Sequence, residues 1–323
     1  MNKRLVWVDI AKGIAIILMI VGHEVIGNAR VFIFSFHMPL FFILSGFTSG
    51  MVLTMSKWKQ KLPKTLKMLL LAIFMIVLLS VEKLILLNSS ISQLALGTLI
   101  GIFRGSNTYG THAISSVGVM WFLIVFVWAK ILFDLLQVFF DNKYIGVILG
   151  ITSYFAYLTS LHHWLPQDLD IVPIAALFMW VGLILKQAYL SEKVNVRKYM
   201  LSIFVFICFV YWIICLQNSI NIEMATRHYP YFLISIIEAV AGTVVISYLS
   251  MGIQDCRIGN HIAIIGQHTL AILCIHHLDL YWVFWGDLIS SPWLAALTRL
   301  VVDLGILVLV ILFQKFYKKK AML

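Results

Sequence analysis

Apolar runs of about twenty residues recur from one end of this chain to the other, more than any soluble core buries. Hydrophobic residues make up 62% of the 323 and charged residues only 12%, against about 45–50% and 25% in soluble domains. Inside a bilayer the backbone must satisfy its own polar groups, so runs of this length read as helices. The expected fold is all-α, a polytopic membrane helix bundle of about ten transmembrane helices. They are placed near 5–27, 30–52, 68–87, 118–139, 144–161, 170–188, 199–217, 230–250, 262–283 and 293–314. No hydrophilic stretch is long enough for a soluble module, so residues 1–323 read as a single integral membrane domain. The N-terminal MNKRLVWVDIAKG has no small-residue cleavage site and reads as a retained first span.

The net charge of +10 does not imply nucleic acid, because of where the charge falls. With the N-terminus in the cytoplasm, 18 of the 24 lysines and arginines lie on the inner side, five lie outside, and Lys12 is within the membrane. That asymmetry gives N-in and C-in termini, with the excess charge beside anionic lipid headgroups; a bacterial-type plasma membrane is the expected location. Of the four cysteines, three sit in apolar runs, and no disulfide framework or CxxC pair is present. The outer loops carry polar and aromatic residues instead, in the long segment 88–117 and in LHHWLPQDLD and YWVFWGDLISSPW.

The first span, DIAKGIAIILMIVGH from Asp9 to His23, is unusual for its ionisable residues. An uncompensated charge at membrane depth costs about 2.5–3.5 kcal/mol even on lenient scales. Asp9 lies one turn before Lys12, so those two are expected to pair. Lys12 and His23 are about 16 Å apart along a helix and only about 20° apart around it. One stripe therefore carries a cation toward the cytoplasm and an imidazole toward the outer face. In the second span, VFIFSFHMPLFFILSGF, His37 is as far past the turn as His23 is before it. Pro39 frees the Ser35 carbonyl and favours a kink. A buried polar site between two histidines is the expectation. The ninth span adds His268, His276, His277 and Asp279. No acidic or thiolate set at helical spacing completes a metal site there, so no metal is expected.

These motifs together resemble the acyltransferase 3 family of integral membrane O-acyltransferases, in its fucose 4-O-acetylase-like, capsular and exopolysaccharide branch. The first span matches at Val8, Asp9, Lys12, Gly13, Ile14, Ala15 and His23. The second matches at His37, Pro39, Leu40, Phe41, Phe42, Ser45, Gly46 and Phe47. A W-F-L element stands at Trp121, Phe122 and Leu123, and a later motif at Gly266, Thr269, Leu270, Ile272 and His276. The resemblance implies transfer of an acyl group, usually acetyl, from cytoplasmic acyl-CoA. The acceptor would be a hydroxyl of a cell-surface, capsular or exopolysaccharide sugar, as a glycan or a lipid-linked sugar. It implies His23 as catalytic base with His37 assisting, and acetyl-CoA as donor, held by Lys12, Lys64 and Lys67. Asp9, Ser45, Trp121 and His276 are the implied substrate contacts. Lysine replaces the family's usual arginine at positions 12, 64 and 67, giving point charges where a bidentate fork is common. A different class, a polysaccharide or small-molecule transporter with an intramembrane histidine proton relay, would also place ionisable groups in spans. It fits less well, because the halves show no internal repeat and few spans are interrupted by proline.

Overall fold

The structure is a computed structural model that describes residues 4–86, 90–106, 117–190, 194–279, 282–283 and 285–320. Among the described residues it is helical throughout, with one isolated bridge between Glu223 and His228. The first half comprises α1 (Val6–Glu24), α2 (Asn28–Phe34), α3 (His37–Thr48), α4 (Met55–Leu86), α5 (Ile91–Arg104), α6 (Trp121–Phe139) and α7 (Asn142–Ser160). The second comprises α8 (Val172–Leu190), α9 (Val194–Gln217), α10 (Phe232–Gly252), α11 (Arg257–Gln267), α12 (Thr269–Leu278), α13 (Trp285–Leu288) and α14 (Pro292–Lys320).

Eight of the ten expected spans coincide with helical segments long and apolar enough to cross a bilayer. The other two depart from that form for different reasons. The ninth is two helices, α11 and α12, bent by 66° where they meet. The fifth, α7, has 19 residues but is less apolar. Its crossing follows from its neighbours. The Val52 backbone N–H donates to Gln137 Oε1 at 3.3 Å, and Lys186 Nζ donates to the Ser49 carbonyl at 2.8 Å. The C-terminal ends of α3, α6 and α8 therefore gather at one end of the bundle. α7 begins where α6 ends and leads to the start of α8, so it must return the chain to the far side. Lys61 Nζ also reaches a carbonyl there, that of Gly50, at 3.1 Å. Cations are favourable at helix C-termini, where carbonyls lack partners. This is the lysine-rich end; His23 marks the other.

Three further boundaries differ from the sequence reading. α4 starts at Met55 rather than 68 and runs 32 residues, with Pro63 in its first turns, so Lys64 and Lys67 lie on a formed helix. The long polar loop contains α5, whose Thr98 Oγ1 donates to Ser80 Oγ at 2.7 Å, folding it back along α4. Residues 87–89 and 107–116 of that segment lie outside the described residues. The second span breaks at Ser35–Phe36, one turn before Pro39, where the proline leaves a carbonyl unpaired. Trp212 Nε1 donates to Ser35 Oγ at 3.0 Å and that hydroxyl donates to the Phe32 carbonyl at 2.8 Å, which fastens the break to α9.

Two crossings set the bundle's core, and both need glycine. A Cβ on Gly46 would lie 1.8 Å from the Met179 carbonyl oxygen, and one on Gly182 1.9 Å from that of Ile43. α3 and α8 thus meet backbone to backbone. α1 and α11 do the same, with Gly266 facing the Asp9 carbonyl and Gly13 that of Ile262. Without a hydrophobic force between helices in lipid, such close packing drives association. Gly46→Leu is expected to cost at least about 1–3 kcal/mol of stability, read as a lower melting temperature in detergent. An unchanged melting point would remove the crossing from the fold's support.

Candidate active site

On α1, Lys12, Ile16, Met19 and His23 follow one another at spacings of three and four residues, so they share a face. The first three line a cavity of about 200 Å³ that α3, α6 and α12 complete. Its walls change character along that face. Lys12, Ser45 and Thr48 lie toward the lysine-rich end, and Met19, Met38, Phe41 and Phe122 toward the histidines. Met68 of α4, one residue past Lys67, also lines it. Lys64 and Lys67 are exposed on α4.

His23 stands one turn beyond Met19, outside the cavity lining, with its side chain exposed. The sequence placed His23 and His37 at similar depth and left open whether they face each other. The imidazole nearest His23 among the ring contacts is His276 of α12, ring centroids 5.1 Å apart. His37 is buried, and its Nδ1 donates to the Ile33 carbonyl at 2.9 Å. That carbonyl is one the helix break would otherwise leave orphaned. The two histidines share Phe34 as a neighbour, at 5.8 Å from His23 and 4.8 Å from His37. His37 therefore braces the broken span beside the site.

Asp9 also has a different partner from the one expected. Its Oδ2 accepts from Arg4 Nε at 2.5 Å, while Lys12 turns to the cavity. The Arg4 fork reaches Asp9 from the chain ahead of the helix, a contact that one-turn spacing cannot reveal. Trp121 is buried in the apolar cluster that includes Phe42 and Ile43, and its neighbours Phe122 and Leu123 line the cavity in its place.

Sequence spacing missed the acidic partners of His276. Its Nδ1 lies 3.1 Å from Asp303 Oδ2 on α14, and both residues are fully buried. One turn earlier, Arg299 donates through Nε to Asp279 and through Nη1 to Glu24, each at 2.6 Å. His276, Asp279 and Asp303 bring ligand atoms within 4.8 Å of one another, close enough for a metal. Arg299 holds Asp279 through one oxygen and His276 engages Asp303 through one oxygen, while Asp279 Oδ1, Asp303 Oδ1 and His276 Nε2 have no hydrogen-bond partner among the described residues. The signal that could have found this set is the Arg299/Asp303 pair itself, four residues apart inside an apolar run.

A lysine-flanked cavity thus leads along one helix face toward an accessible histidine. The family described as acyltransferase domain, acyltransferase 3, matches residues 5–313. The chain belongs to that family. No curated protein and no solved structure gives a match. The match spans nearly every helix of this acyltransferase, so the cavity, His23 and the α12–α14 cluster all lie within the family's domain. As a member, it is a multi-pass membrane enzyme that transfers an acyl group.

Proposed function

We propose that this acyltransferase moves an acetyl group from cytoplasmic acetyl-CoA to a sugar hydroxyl of a surface glycan or its lipid-linked precursor. The observation that carries this reading is the stripe from Lys12 to His23, walled by the cavity over most of its length. The lysine-rich end faces the cytoplasm, as basic residues prefer. CoA phosphates lie against Lys64 and Lys67, and the acyl-bearing arm enters past Lys12. The capsular and exopolysaccharide branch supplies the acceptor class.

A sugar hydroxyl is a poor nucleophile at neutral pH, and a neutral imidazole is a suited base. His23 takes the hydroxyl proton as the oxygen attacks the thioester carbonyl. The tetrahedral adduct collapses, the carbon–sulfur bond breaks, and the proton passes to the departing CoA thiolate. His37 holds the broken span in place around Phe34. Direct attack is the simpler route for an exposed His23; an acetyl-histidine intermediate would show as a burst of free CoA before acceptor is added.

The test is transfer from radiolabelled acetyl-CoA to acceptor glycan by the purified protein in lipid. Label in the glycan supports the reading. Proton-coupled flux of a sugar with no CoA release would favour the transporter instead. Within that assay, Lys64→Gln with Lys67→Gln is expected to raise the Michaelis constant for acetyl-CoA by roughly three- to tenfold and weaken its salt dependence, since screened phosphate contacts are lost. Replacing Lys57 and Lys59 should change it less than twofold by the same screening argument. Equal small effects from both pairs would leave these lysines a topological role alone.

A further inference from the structure

A base of the kind proposed for His23 works only if one ring nitrogen presents its lone pair to the acceptor, which requires the other to hold the proton. Something must fix that tautomer. On His23 itself nothing on α1 does so. The imidazole in ring contact with it among the described residues is His276, at 5.1 Å between centroids and tilted by 40°.

The state of His276 follows from its own partner. An ionised Asp303 oxygen can only accept, so the His276 Nδ1 that meets it at 3.1 Å carries the proton. The lone pair is then on Nε2. That atom is buried and has no hydrogen-bond partner among the described residues. A buried acceptor without a donor costs about 1–3 kcal/mol, and the adjacent ring that can supply an N–H is His23. Apo geometry at such sites is often loose and tightens in the reacting complex.

Arg299 holds the two rings in register. Glu24, which it binds, is the residue after His23, and Asp279, its other partner, lies three residues after His276. One guanidinium thus ties the ends of α1 and α12 to the helix that bears Asp303.

We infer that His276, oriented by Asp303, is the positioning residue for His23. Its Nε2 accepts the N–H of His23, which leaves the other His23 nitrogen as lone pair on the exposed side. When His23 takes the acceptor's proton, the positive charge is stabilised through His276 by the Asp303 carboxylate. No bond to substrate forms on either residue. This rests on the proposed role of His23 as base, and differs from it in what it requires of α12 and α14.

The experiment uses the full chain in lipid nanodiscs, with Asp303→Asn, His276→Gln and, as conservative rescue, Asp303→Glu. Two quantities are read: kcat and the Michaelis constants for transfer, and the rate at which diethyl pyrocarbonate modifies His23, followed by mass spectrometry. Asp303→Asn and His276→Gln are expected to lower kcat by about ten- to a hundredfold with both Michaelis constants within about twofold. His23 labelling should slow several-fold in both, and Asp303→Glu should recover part of each loss. Wild-type labelling and kcat within about threefold of wild type, in variants that melt normally, would overturn the assignment. If Asp303→Asn fails to fold, His276→Gln decides on the same criteria. Loss of transfer on chelation, restored by a divalent ion, would put a cation between these groups and also overturn it. Slowed His23 labelling in a protein that shows no acetyl transfer would sustain the coupling and sink only the acetyl-transfer reading.

Discussion

His23→Ala is expected to lower acyl transfer by about 10²–10⁴-fold, the usual contribution of a positioned proton acceptor, with expression and melting unchanged. The stability half follows from position. The imidazole is exposed, second from last in α1, and its removal opens no cavity in the core. The catalytic half follows from chemistry, since no other accessible imidazole stands beside the α12–α14 cluster among the described residues. His37→Ala should behave in the opposite sense. It removes a hydrogen bond that closes a helix break and should lower the melting temperature while leaving part of the activity. Transfer at near wild-type rate in His23→Ala would remove it from the mechanism.

Arg227→Ala is expected to cost about 3–5 kcal/mol, the penalty for breaking a buried ion cluster by removing one partner. At this chain length that is a fall of roughly 5–10 °C in melting temperature. Arg227 donates to Asp170 at 2.8 Å, to Asp168 at 2.5 Å and to the Ala225 carbonyl at 3.0 Å, and its guanidinium stacks on Trp164 at 3.8 Å. Both carboxylates are fully buried, so alanine would strand two negative charges. The same cluster holds Gln167, Asp168 and Arg227 at positive φ, a conformation that costs side-chain-bearing residues and persists only where neighbours enforce it. Arg227→Lys should give an intermediate loss, because an ammonium keeps the charge but not the fork or the stack. A melting temperature within a degree of wild type for alanine would show that these loops are held by something else.

The bundle was legible in the sequence because the bilayer enforces one pattern, and uninterrupted apolar length reports it directly. What escaped notice depended on side chains meeting across helices. The bend at His268 carries no proline to announce it. α5 looked like a loop because Ser, Thr and Gly dominate the start of the segment, although LALGTLIGIF within it is apolar. In the site, Lys12 and His23 were readable from helical spacing alone, since both lie on α1. Whether His23 and His37 face each other was not: depth along a hairpin says nothing of rotation, and past the break at Ser35 the His37 ring bonds the Ile33 carbonyl. Asp303 is 27 residues from His276, beyond the reach of any periodicity within one helix.

The cavity's apolar wall bears on the energetics of the cell rather than of the reaction. An aqueous path running from Lys12 past His23 would be a conduit for hydronium, and an enzyme containing one would drain the proton gradient of the membrane it sits in. Met19, Met38, Phe41 and Phe122, which wall the cavity short of either histidine, offer a water chain no hydrogen-bonding side chain. The enzyme's insulation is therefore an apolar lining drawn from α1, α3 and α6. Polar substitutions there would be felt first as slower growth under conditions where the gradient limits, in cells that still acylate their acceptor.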